Sequence, residues 1–89
     1  TSVVHPSPSD LSFFVYPNPA RDRLQVRYDP RHIPGEIEMF TVLGVRVERA
    51  MTSEAGAAEF DVNTLPTGLY VLRLRSAVGS VFRRVTILR

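Results

Sequence analysis

The sequence predicts an all-β protein, an immunoglobulin-like antiparallel sandwich of about seven strands. Three observations carry that expectation. Apolar and polar residues alternate strictly over short stretches, turn-forming residues recur at intervals of about 8–12 residues, and no window holds a helical repeat. The best helical candidate, near Arg46 to Ala57, is interrupted by Thr52, Ser53 and Gly56. Without a rhythm of strand followed by helix, α/β folds are excluded.

The first ten residues hold two prolines, three serines and a threonine, with Val3 and Val4 the only aliphatic side chains. They read as a flexible linker over 1–10, with a domain boundary near Asp10 and a larger protein expected on the N-terminal side. The sandwich is expected over 11–89. Leu11 to Tyr16 is an apolar, aromatic strand stopped by Pro17-Asn18-Pro19, and the two prolines hold the residues before them extended, which makes a rigid corner. From Arg23 to Tyr28 alternation turns Leu24, Val26 and Tyr28 to one face and Arg23, Gln25 and Arg27 to the other. Asp29 to Gly35 is a loop.

Glu36 to Val42 and Val45 to Met51 flank Leu43-Gly44, a short hairpin whose glycine can take positive φ. Ile37 and Met39 are expected to point inward with Val45 and Val47 as partners, and Glu36, Glu38, Arg46 and Glu48 to face water. Ala58, Phe60 and Val62 alternate with Glu59 and Asp61. After a turn over Asn63 to Gly68, Tyr70, Leu72 and Leu74 alternate with Val71, Arg73 and Arg75. A turn around Ala77-Val78-Gly79 leads to the last strand, Val81 to Leu88, with Val81, Val85 and Ile87 inward and Arg83, Arg84 and Arg89 exposed.

At 89 residues there is room for one domain with one thin core. Cysteine is absent, and neither His5 nor His32 has ligand partners at metal-binding spacing, so no disulfide, metal or cofactor is expected. Every one of the 11 basic residues is arginine, and the formal net charge is +2. No stretch approaches the roughly 18 apolar residues of a membrane helix, and the start lacks the pattern of a signal peptide. If the protein is exported, its export signal proper is expected upstream in a longer precursor or within the domain itself.

Catalysis has little to stand on: there is no Gly-x-Ser-x-Gly elbow, no glycine-rich phosphate loop and no cysteine. The carboxylates Glu36, Glu38, Glu48, Glu59 and Asp61 fall on polar sides of alternating strands, which reads as a solvated face. Nucleic-acid binding needs clustered charge, whereas the arginines are dispersed and Phe13, Tyr28, Phe60 and Tyr70 point inward. A carbohydrate-binding module would stack sugars on exposed rings, yet there is no tryptophan and only Phe40 and Phe82 are expected to face outward.

Four segments together resemble one known family. They are Val15-Tyr16-Pro17-Asn18-Pro19-Ala20, the hairpin Phe40 to Val47, the run Phe60 to Tyr70 ending in Leu65-Pro66-Thr67-Gly68-Leu69-Tyr70, and the basic strand Phe82-Arg83-Arg84-Val85. In this order and spacing they resemble the type A C-terminal sorting domain of type IX secretion substrates, found behind secreted glycoside hydrolases and peptidases. Two features depart from that pattern: Thr41 stands where an aspartate or asparagine is usual, and the last strand is basic through Arg83, Arg84 and Arg89 where lysine is more usual.

The resemblance implies a non-enzymatic sorting signal that directs a larger cargo through the secretion system to cell-surface attachment. It implies as partners the outer-membrane secretion machinery and a surface sortase-like peptidase that joins the cargo to lipopolysaccharide. The location implied is the secreted or cell-surface space of a Gram-negative, Bacteroidetes-type bacterium, reached through the periplasm. Pro17, Asn18, Pro19, Gly44, Gly68, Tyr70, Arg83, Arg84 and Arg89 are the recognition residues so implied. The last strand is the expected docking edge, since an unpaired strand can accept a partner strand. A monomer without nucleic-acid partner is expected. The alternative is a non-catalytic carbohydrate-binding or immunoglobulin-like interaction module of a secreted enzyme.

Overall fold

A computed structural model describes residues 13–29, 31, 33–77 and 79–89. Seven strands follow in chain order: β1 (Phe13–Tyr16), β2 (Arg23–Tyr28), β3 (Gly35–Thr41), β4 (Arg46–Met51), β5 (Ala57–Asp61), β6 (Gly68–Ser76) and β7 (Gly79–Ile87). They form two sheets, β1-β2-β5 and β4-β3-β6-β7, with every strand pair antiparallel. This is the immunoglobulin-like sandwich that the alternation predicts. The linker expected over 1–10, the boundary near Asp10, and His32 and Val78 lie outside the described residues.

Alternation explains the core. Leu24, Val26 and Tyr28 on β2 are buried while Arg23, Gln25 and Arg27 are exposed. They meet Ile37, Met39, Leu72, Leu74, Val81, Val85 and Ile87 from the facing sheet, with Phe13 and Phe60 completing the three-stranded side. All four aromatics expected inward, Phe13, Tyr28, Phe60 and Tyr70, are buried.

Two expectations fail on the hairpin. The pairing runs Met39 to Glu48 and then Phe40 to Arg46, so β4 carries a bulge at Val47. Val47 packs against the core, but Val45 is shifted out and stands 59% exposed. Glu38, expected to face water, is 4% exposed. Its strand is central, between β4 and β6, and arginines from both neighbours close over it.

The strand ends sort the connections to two ends of the sandwich. Thr41 pairs with Tyr70, Gly68 with Ile87, Tyr16 with Gln25 and Arg23 with Asp61. One end therefore gathers residues 17–22, the hairpin tip 42–45, the connection 62–67 and residues 88–89. The other gathers the β2–β3 and β4–β5 connections and the β6–β7 turn. There Tyr28 joins the two sheets, its hydroxyl accepting from the Ser53 backbone N–H at 2.7 Å.

Candidate recognition surface

Proline donates no hydrogen bond, so the corner after β1 cannot continue as an ordinary ladder strand. Tyr16–Pro17 and Asn18–Pro19 are both cis peptides. Asn18 supplies side-chain bonds instead: its Oδ1 accepts from Thr86 N–H at 3.0 Å, and its Nδ2 donates to the Arg84 carbonyl at 3.3 Å. Ala20, fully buried, then bridges to Ile87 in parallel. Its N–H donates to Thr86 O and its carbonyl accepts from Leu88 N–H, both at 2.8 Å. The chain thus leaves the three-stranded sheet after Tyr16 and covers the edge of the four-stranded one.

This corrects the expected docking edge. The last strand is an edge strand, but its C-terminal half is already paired by residues 18–20. Arg83 closes more of it: Nε donates to Phe13 O at 3.1 Å, Nη1 donates to Phe82 O at 2.9 Å, and the guanidinium lies 5.5 Å from the centroid of the Phe13 ring. Arg83 is a half-buried seam between the sheets and not the exposed charge expected of it. Arg84 does face solvent, and among the described residues its side chain has no partner.

Arg89 is exposed as expected, but its side chain is bound. Its guanidinium donates to the carbonyls of Leu65 at 2.7 Å and Arg21 at 2.6 Å and to that of Val62, and its backbone N–H donates to Thr67 Oγ1 at 3.1 Å. It ties the end of β7 to the β1–β2 and β5–β6 connections. In the same place Tyr70 buries its ring, and its hydroxyl donates to Pro66 O at 2.7 Å, a link back across its own turn of the kind seen in immunoglobulin-like folds. Gly68 is the first residue of β6 and has ordinary φ; a Cβ there would meet the Tyr70 ring at 3.8 Å.

At the hairpin tip Gly44 has φ +89°, a conformation that disfavours any side chain. Thr41 organises this turn. Its Oγ1 accepts from Leu43 N–H at 3.3 Å and Val45 N–H at 3.2 Å, the bonding that an aspartate or asparagine side chain would otherwise give. The departure at this position therefore preserves the turn. Val42 and Leu43 are 63% and 88% exposed at the tip.

The outer face of the four-stranded sheet carries an ionic lattice that alternation alone does not reveal. Glu36 sits between Arg49 and Arg75, and Glu38 between Arg46 and Arg73. Hydrogen bonds from Arg49 first and Arg75 next hold the Glu36 carboxyl below its ordinary value; those from Arg73 first do the same for Glu38, against the opposing effect of burial. Arg73 also lies 5.1 Å from the centroid of Phe40, so that ring, expected outward, is half covered, while Phe82 stays 55% exposed. Sequence reasoning missed Phe14 and Tyr16, which are 60% and 40% exposed on the outer side of β1. The signal was their i, i+2 spacing in an edge strand.

Surface concavities, such as one lined by Asn18, Val71, Phe82, Arg83 and Arg84, are open to solvent. Among the described residues no cluster of three or more His, Cys, Asp or Glu side chains could hold a metal ion, and no helix is long and apolar enough to cross a membrane. The sequence motifs instead meet by contact: the Asn18 side chain on β7, the Arg89 side chain on the β5–β6 connection, and Tyr70 beside Val85. The fold defines a small β-sandwich module. Residues 14–88 match the model of the secretion system C-terminal sorting domain, and the chain belongs to that family. It is a sorting domain of the type IX secretion pathway, from a family that is in general non-catalytic, and membership implies a secreted or cell-surface protein. A search of curated proteins found no match.

Proposed function

We propose that this domain is a non-enzymatic signal read in its folded state. It directs a cargo, joined through a linker over residues 1–10, across the outer membrane of a Gram-negative, Bacteroidetes-type bacterium and on to cell-surface attachment. A surface sortase-like peptidase then cuts near the start of the domain and joins the cargo to lipopolysaccharide. One observation carries the reading. Pro17, Asn18, Pro19, Gly44, Gly68, Tyr70 and Arg89 come from separate stretches of chain and gather at one end of the sandwich, where Asn18, Gly68 and Tyr70 bond to or pair with β7 and Arg89 follows it. Such a surface exists only in the folded protein.

The test fuses the domain to a reporter in a host competent for type IX secretion and measures surface display. Display that survives deletion of Val81 to Arg89 would rule out a folded signal. The alternative, a carbohydrate-binding module, has the outward rings of Phe14 and Tyr16 in its favour. Titration calorimetry against a glycan panel tests it, and micromolar affinity lost in Tyr16→Ala would support it.

A further inference from the structure

The end of the sandwich that gathers the motifs also exposes several large apolar side chains. Five of the exposed large apolar side chains lie there: Val42, Leu43 and Val45 on the hairpin tip, Leu69 at the start of β6 and Leu88 after β7. The register explains why they adjoin. Phe40 pairs with Val71 and Thr41 with Tyr70, which carries Val42 alongside Leu69, and Leu69 pairs with Thr86, two residues before Leu88. Soluble monomers rarely leave an extended apolar patch open unless it binds something.

The surroundings indicate what it binds. The outward positions of the same sheet carry Arg46, Arg49, Arg73, Arg75 and Arg84 against Glu36 and Glu38. Both carboxylates are already bound by arginines, so the face keeps an excess of positive charge, and Arg84 points to solvent with no partner among the described residues.

We propose that this corner is the docking surface for a protein partner, one whose apolar cleft takes Leu43 and Leu69 and whose rim carries carboxylates facing Arg84. The inference rests on the sorting role above and names the surface through which that role is exercised. A protein cleft fits better than a lipid surface, because Leu69 and Leu88 lie on and beside paired strands while only the hairpin residues stand at a loop tip. Charge at the rim would speed and select the encounter, and the apolar centre would hold it.

The test uses the reporter fusion with Leu43→Ser, Leu69→Thr, Arg84→Glu and, as a control at the opposite end of the same sheet, Met51→Ser; Met51 is 57% exposed. Urea midpoints of the purified fusions establish that each variant is folded. Surface display is expected to fall at least about tenfold for Leu43→Ser and Leu69→Thr, as for truncation of an interface anchor, and to fall for Arg84→Glu, with Met51→Ser like the parent. If the parent is not displayed, the sorting role itself fails. If the parent is displayed and the folded Leu43 and Leu69 variants match it, the docking surface is wrong and the sorting role stands. Concentration-dependent dimers in sedimentation, or flotation with phosphatidylglycerol vesicles, that vanish in Leu43→Ser while display does not change would overturn the proposal in favour of a second copy or a lipid surface.

Discussion

Asn18 and Thr86 lie 68 positions apart in the sequence, yet the Asn18 side-chain oxygen holds the Thr86 backbone N–H at 3.0 Å. With its second bond to the Arg84 carbonyl, Asn18 does for β7 what a neighbouring strand would do. Asn18→Ala should lower stability by about 1 kcal/mol, within the usual range for lost hydrogen bonds, and speed amide exchange at Thr86. Unchanged exchange there would mean that Ala20 alone secures the edge.

Arg89 and Arg84 should behave as opposites. Arg89→Ala removes donors to three backbone carbonyls and should cost about 1–3 kcal/mol. Arg84→Gln removes no interaction with a described residue and should stay within about 0.5 kcal/mol of the parent. Denaturant unfolding of both variants checks this, and equal effects would contradict the anchoring role of Arg89.

The two motif glycines should also separate. Gly44→Ala places a Cβ at φ +89°, with a cost of about 1–2 kcal/mol from backbone conformation alone, since nothing lies within 4 Å of that Cβ. Gly68→Ala meets only an ordinary contact at 3.8 Å from the Tyr70 ring, so its stability should change by less than about 0.5 kcal/mol. A large loss for Gly68→Ala in thermal unfolding would show that β6 starts with less room than the structure gives it.

Tyr70→Phe keeps the buried ring and deletes only the bond to Pro66 O. A loss of about 1 kcal/mol is expected, with amide exchange rising first in the 62–67 connection.

Acid should weaken the fold through Glu36 and Glu38. Both carboxyls are held below the ordinary value of 4.5 in the folded protein. Their contribution is thus fully present above about pH 5, and it is lost as pH falls through the depressed folded values. Urea midpoints measured from pH 7 to pH 3 should fall only in the acid range, and less steeply for Glu38→Gln. Parallel curves for variant and parent would remove the lattice as the source.

The strands and their inward faces were legible in the sequence because a period of two residues records which side of a sheet is buried. Leu24, Val26, Tyr28, Leu72 and Leu74 follow directly from it, and so does the sandwich itself, since seven short strands without helices can cover their apolar faces only against each other. The four motif segments were legible too, as was the family they resemble. Alternation says nothing about which strand lies beside which, and the corrections at Glu38, Val45, Arg83 and Arg89 arise there. Glu38 is buried because β3 became central, Val45 is exposed because a bulge shifted the register, and Arg83 and Arg89 are bound because the edge of β7 met Phe13 and the 62–67 connection. Sequence periodicity is local and fixes the face of each strand; strand order and register depend on contacts between distant residues, and only the folded chain decides them.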